Sequence, residues 1–139
     1  MGRGVPAHVH AEAVLDALRE ARPAGLTVHL LMAATERTRS QVYVGIREIR
    51  RVAAARGLPP LVWDRPHGYR LVDNAPEIWI GYEMAFTRRW ERALGDFIAG
   101  ILIPHQQQCP NDAVVRTLIA QFTAVLSTLE LMAGLHQQP

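Results

Sequence analysis

Eight arginines fall between positions 37 and 70 with only Glu48 and Asp64 opposing them, a local excess of six positive charges in a chain of net charge +2. A guanidinium is always charged and presents a rigid fork of donors, so it suits phosphate oxygens and the acceptor edge of guanine. Arg37, Arg39, Arg47, Arg50, Arg51, Arg65 and Arg70 are interleaved here with Ser40, Gln41, Tyr43, Val44 and His67. The chemistry on offer is binding: neutralisation of a polyanion, with short side chains between the charges that can meet base edges. All fifteen basic residues are arginine, which a GC-rich coding bias would also produce, so their position carries more weight than their type. Residues 1–73 hold eleven Arg against seven acids, whereas residues 74–139 hold four against six.

Groups able to make or break bonds are sparse. His8 and His10 lack the accompanying carboxylate or cysteine cluster that a metal site requires, so solvent or structural roles are expected for both. Cys109 is the single cysteine, which excludes an intramolecular disulfide and fits a reducing compartment. The chain carries no glycine-rich phosphate loop, nucleophile elbow or paired-carboxylate motif. Catalytic residues, metal ions and cofactors are therefore not expected, and nothing points to an enzyme. The opening residues lack the apolar region of a secretory signal, and no apolar run approaches the ~18 residues needed to span a bilayer. The expectation is a cytoplasmic protein without a membrane partner.

Val14, Leu15 and Leu18 recur at helical spacing and predict a first helix over 9–21, ended by Arg22-Pro23-Ala24-Gly25. Thr27 is a natural N-cap for a short second helix to Ala34. A polar break at Thr35–Thr38 leads into a third helix over 39–56, closed by Gly57. On that helix Val42, Ile46, Ile49 and Ala53 fall on one side, while Ser40, Tyr43, Val44, Arg47 and Arg51 fall on the other. Leu61–Trp63 and Tyr69–Val72 are β-prone runs around a turn-rich Asp64–Gly68, which predicts a hairpin with Trp63 and Tyr69 in its packing. Three helices and a hairpin in this order make a winged helix-turn-helix.

The runs Ile46-Arg47-Glu48-Ile49-Arg50-Arg51, Gly57-Leu58-Pro59-Pro60-Leu61-Val62-Trp63 and Gly68-Tyr69-Arg70-Leu71 resemble the DNA-binding effector domains of OmpR/PhoB-type response regulators. The resemblance covers about residues 26–73, and no phosphate-receiver domain accompanies it. It implies that the third helix enters the major groove and that the hairpin, as a wing, touches backbone or minor groove.

In the second half, Asn74-Ala75-Pro76-Glu77 starts a long helix carrying Trp79, Tyr82, Phe86, Trp90, Phe97 and Ile101 on one stripe, with Pro104 expected to end it. After a polar loop over 105–110, Asn111 and Asp112 would cap a last helix to about Leu135, with Leu118, Phe122, Val125, Leu129 and Met132 at heptad-like spacing. From Ala113 onward only Arg116 and Glu130 are charged, so this helix must bury more than one face. A helical hairpin over 74–139 that pairs with its copy satisfies that requirement.

The expected fold is thus mainly α with a small β-hairpin: a winged helix-turn-helix over 1–73 followed by a two-helix dimerisation hairpin. The expected function is sequence-specific binding of double-stranded DNA by a homodimeric, repressor-like transcription regulator, such as a phage or mobile element encodes. The alternative is a winged-helix interaction module whose helical hairpin docks a partner protein, without DNA. The aromatic stripe leaves room for a small-molecule effector, but nothing specific supports one.

Overall fold

Val14, Leu15 and Leu18 share one face of helix α1 (Ala7–Ala21), and all three are fully buried. The computed structural model, which describes residues 4–135, closes that face with two further helices, α2 (Val28–Thr35) and α3 (Arg39–Arg56). Thr27 caps α2 by accepting from the Leu30 amide at 3.2 Å. Thr38 caps α3 through a reciprocal box: its hydroxyl accepts from the Gln41 amide, and the Gln41 side chain accepts from the Thr38 amide at 3.0 Å. Gly57, at φ 60°, ends α3 in the left-handed conformation. Leu31, Val42, Ile46 and Ile49 complete the core against α1. Burying each such side chain contributes about 1.5–3 kcal/mol, which makes this three-helix contact the main source of stability here.

The chain then turns into an antiparallel hairpin, β1 (Leu61–Asp64) and β2 (Gly68–Leu71), in the register Leu61 to Leu71 and Trp63 to Tyr69. Leu61 and Leu71 seat it on the helical core. A second tether joins β2 to the segment before α2, where Leu26 and Tyr69 exchange two backbone hydrogen bonds, both 2.8 Å long. That approach needs Gly68, which has φ 72° and whose Cβ, if present, would lie 2.5 Å from the Leu26 carbonyl oxygen. Trp63, expected in the packing, points outward at 40% exposure.

The chain divides into two compact units, Met1–Tyr82 and Glu83–Pro139. Helix α4 (Pro76–Phe97) begins in the first of them. Its Trp79 indole donates to the Val72 carbonyl at 2.8 Å, and Tyr82 accepts from Arg50 at 3.0 Å. Both aromatics are half-buried in the first unit, which is why the compact unit reaches past the residue-73 boundary read from sequence.

In the second unit Pro104 does not end the helix. A π-helical turn over Ile98–Leu102 carries the chain into α5 (Ile103–Gln108), with the Ile103 amide bonded to the Ile98 carbonyl. The wider turn slips the carbonyl ladder by one residue just ahead of Pro104, whose missing N–H the helix then tolerates. Gln106–Gln108, expected in a loop, belong to this helix. Asp112 caps α6 (Ala113–Leu135) by accepting from the Val114 and Val115 amides at 2.9 and 3.3 Å. Ile98, Leu102 and Val115 form a small second core, flanked by Leu94, Ile119, Phe122 and Leu126.

Most of α6 remains exposed. By length and composition it is apolar enough to cross a membrane, contrary to the expectation that no apolar segment reaches that length. Its Thr, Ser and Gln interrupt such a run without bringing the desolvation cost of a charge.

Candidate nucleic-acid interface

The capping box fixes where α3 begins, and with it the phase of every side chain that follows. The buried positions Val42, Gly45, Ile46 and Ile49 take the inner arc, so Arg39, Ser40, Tyr43 and Arg47 are turned to solvent. Across from them stands Tyr69 of β2. Together with Ile46 and Arg50 these residues line a groove of about 600 Å³, and no acid is among its lining residues.

The eight arginines of this stretch have three different fates. Arg39, Arg47 and Arg65 are exposed, with no hydrogen bond or ion pair to any described residue. Arg51, Arg56 and Arg70 are each paired with an acid. Arg51 chelates Glu48 through two bonds of 2.8 and 2.7 Å, Arg56 reaches Glu12, and Arg70 donates to Asp64 at 2.8 Å. Hydrogen bonds and charge from Arg51 hold the Glu48 carboxyl below its ordinary pKa, and Glu48 raises that of Arg51 in return. The remaining two are held by neutral groups. Arg37 donates from Nε to His10 Nδ1 at 3.0 Å and from a terminal nitrogen to the Thr35 carbonyl at 2.8 Å, pinning the α2–α3 turn onto α1. Arg50 donates to the Leu61 carbonyl at 3.3 Å and the Tyr82 hydroxyl at 3.0 Å. Its guanidinium lies 5.8 Å from the Tyr69 ring centre and 5.9 Å from that of Tyr82, within cation–π range of both.

Fewer of these charges are therefore uncommitted than the number of arginines in the stretch implies. The structure brings Arg39, Ser40, Tyr43, Arg47 and Arg50 to one groove. Val44 is half-buried, and Gln41 is committed by its side-chain oxygen to the cap. In the hairpin only Arg65 is uncommitted. His67 donates to Asp64 from its backbone amide at 2.9 Å, and its ring nitrogen lies 2.6 Å from the same carboxylate. Burial works against ionisation of Asp64, but His67 and Arg70 outweigh it and hold this carboxyl below its usual value.

Neither a family model, nor a curated protein, nor a solved structure matches this chain.

Asp64, Tyr69 and Tyr82 shape the site without having been read from sequence as part of it. Asp64 had a usable signal, since an aspartate opening a turn with a donor three residues on is a common local motif. Tyr82 had none, because its partner Arg50 is 32 residues away in the chain.

Among the residues expected at a dimer contact, Phe86, Trp90, Phe97, Ile101, Leu118, Val125 and Met132 are exposed. Phe122 is turned inward, edge-on to Phe97 at 5.8 Å between ring centres, and Leu129 is half-buried.

Proposed function

We propose that the first unit is a winged helix-turn-helix and that the chain binds double-stranded DNA as a homodimer, regulating transcription as a repressor. The observation that carries this reading is the acid-free groove along α3, with the guanidinium groups of Arg39 and Arg47 uncommitted beside Ser40 and Tyr43. An α-helix with such a face fits the major groove, where Arg47 would take guanine bidentately and Tyr43 would meet a thymine methyl. Arg39 and Arg65 would neutralise phosphates and release counterions, supplying affinity that falls with salt. Arg50, held between two tyrosines, would shape the groove rather than read it.

The dimer part of the reading is supported by exposed apolar side chains in the second unit. Trp90 is 55% exposed, Ile101 58% and Leu131 72%, and this much exposed apolar surface is unusual on a monomer. A second copy would bury it, and pairing two DNA-binding units would lengthen the sequence read.

A second reading, docking of a partner protein without DNA, is favoured by one observation: Glu48 neutralises Arg51 beside the proposed reading face. The two separate in a mobility-shift titration of the full chain with random and selected duplexes. The DNA reading expects binding that weakens with salt and is reduced on combined Arg39→Ala and Arg47→Ala substitution. Binding that survives that double substitution unchanged would reject it.

A further inference from the structure

A second set of cations without an acidic partner among the described residues lies outside the groove. Arg88, Arg89 and Arg92 stand within five residues on α4, all exposed, and none forms an ion pair or hydrogen bond with a described residue. At 100° per residue the three fall in one arc of the helix. The buried or half-buried positions Leu94 and Ile98 fall on the opposite side, packed into the second core. Phe86 and Trp90 lie on a flank away from the arginines, their rings 5.8 Å apart. Arg89 is the exception at the margin, since its guanidinium reaches 5.9 Å from the Phe86 ring centre. Of the nearby acids, Glu83 and Glu91 fall outside the basic arc. Asp96 falls within it, one turn beyond Arg92.

Three permanently charged groups share one exposed arc with a single acid, Asp96, so that arc carries net positive charge. Arg88 and Arg92 point away from the aromatic flank, so covering Phe86 and Trp90 with a second copy would leave these two arginines in water. We propose that Arg88, Arg89 and Arg92 form a second phosphate-binding stripe, which holds DNA backbone by charge alone. This rests on the DNA-binding reading above. The stripe adds sequence-independent affinity and no base specificity, because arginines spaced along one helix face can meet phosphates without entering a groove.

The test compares two variants of the full chain on one probe, a random-sequence DNA duplex, by fluorescence anisotropy across a salt series. Each phosphate contact adds about 0.9 to the slope of log affinity against log salt. Replacing all three arginines by Gln is expected to lower that slope by about 2–3 per protomer, while the triple Lys variant keeps it within about 1 of the parent. Sedimentation of the Gln variant is expected to show the parent's oligomeric state. An unchanged slope in the Gln variant, with a reduced one in Arg39→Ala/Arg47→Ala, overturns the stripe and leaves the DNA-binding reading standing. Parent protein without salt-dependent duplex binding overturns both. Loss of binding to phosphatidylserine vesicles in the Gln variant, with duplex binding intact, assigns the stripe to a lipid surface and overturns the proposal.

Discussion

Replacing Gly68 by Ala tests how the hairpin is held beside α3. Gly68 has φ 72°, and an added Cβ would lie 2.5 Å from the Leu26 carbonyl oxygen, 2.6 Å from its carbon and 2.7 Å from the Thr27 nitrogen. All three atoms are backbone, so no side chain can swing aside. Relief requires β2 to move away from Leu26, which breaks the two 2.8 Å hydrogen bonds between Leu26 and Tyr69. The left-handed conformation costs about 1–2 kcal/mol for alanine, and the two bonds contribute about 0.5–1.5 kcal/mol each. Reduced freedom of the unfolded chain returns about 0.4–1 kcal/mol. The expected net destabilisation is about 2–4 kcal/mol. Gly57→Ala is the matched control, because Gly57 has φ 60° and nothing lies within 4 Å of its added Cβ. That variant bears only the conformational cost, about 1 kcal/mol net. Urea unfolding followed by far-ultraviolet circular dichroism reads both. If Gly68→Ala proves no less stable than Gly57→Ala, the tether between Leu26 and Tyr69 does not hold the hairpin, and Tyr69 is not a fixed wall of the groove.

Three further outcomes follow from the same contacts. Glu48→Gln releases Arg51 from its chelate and removes a negative charge beside the proposed reading face, so duplex affinity is expected to rise and its salt slope to steepen by about 1, measured by anisotropy. Asp64 has a depressed folded-state pKa, so its stabilising effect is fully present above its unfolded value of 3.8 and is lost as pH falls through the lower folded value. A urea series below pH 4 is expected to show Asp64→Asn converging on the parent, while the variant is weaker at neutral pH. Trp79→Phe deletes the donor to the Val72 carbonyl and leaves that oxygen unpaired, with an expected cost of about 1–3 kcal/mol in thermal unfolding.

The helices of the first unit were legible because local signals agree with the packing. Thr27 caps, Gly57 stops, and the apolar stripe of α3 has one period throughout. The hairpin was legible as two β-prone runs. Its tether to Leu26 was not, since a single bridge leaves no periodicity. Local signals misled at Pro104, where a π-helical turn absorbs a residue that ordinarily stops a helix. The candidate site was legible as a basic helix face but not as a set of free charges. Which arginines are uncommitted depends on Glu12, 44 residues from Arg56, and on Tyr82, 32 residues from Arg50. Pairings at that separation come from the fold and not from spacing.

Titration of labelled full-length protein with a duplex, followed through backbone amide shifts in nuclear magnetic resonance, tests most directly whether the α3 face is what DNA covers. The largest salt-sensitive changes are expected at Arg39, Ser40, Tyr43 and Arg47, with those at the opposite-side Val42 and Ile49 smaller. Changes absent from these four residues, at a duplex concentration that saturates binding elsewhere on the chain, would contradict this expectation.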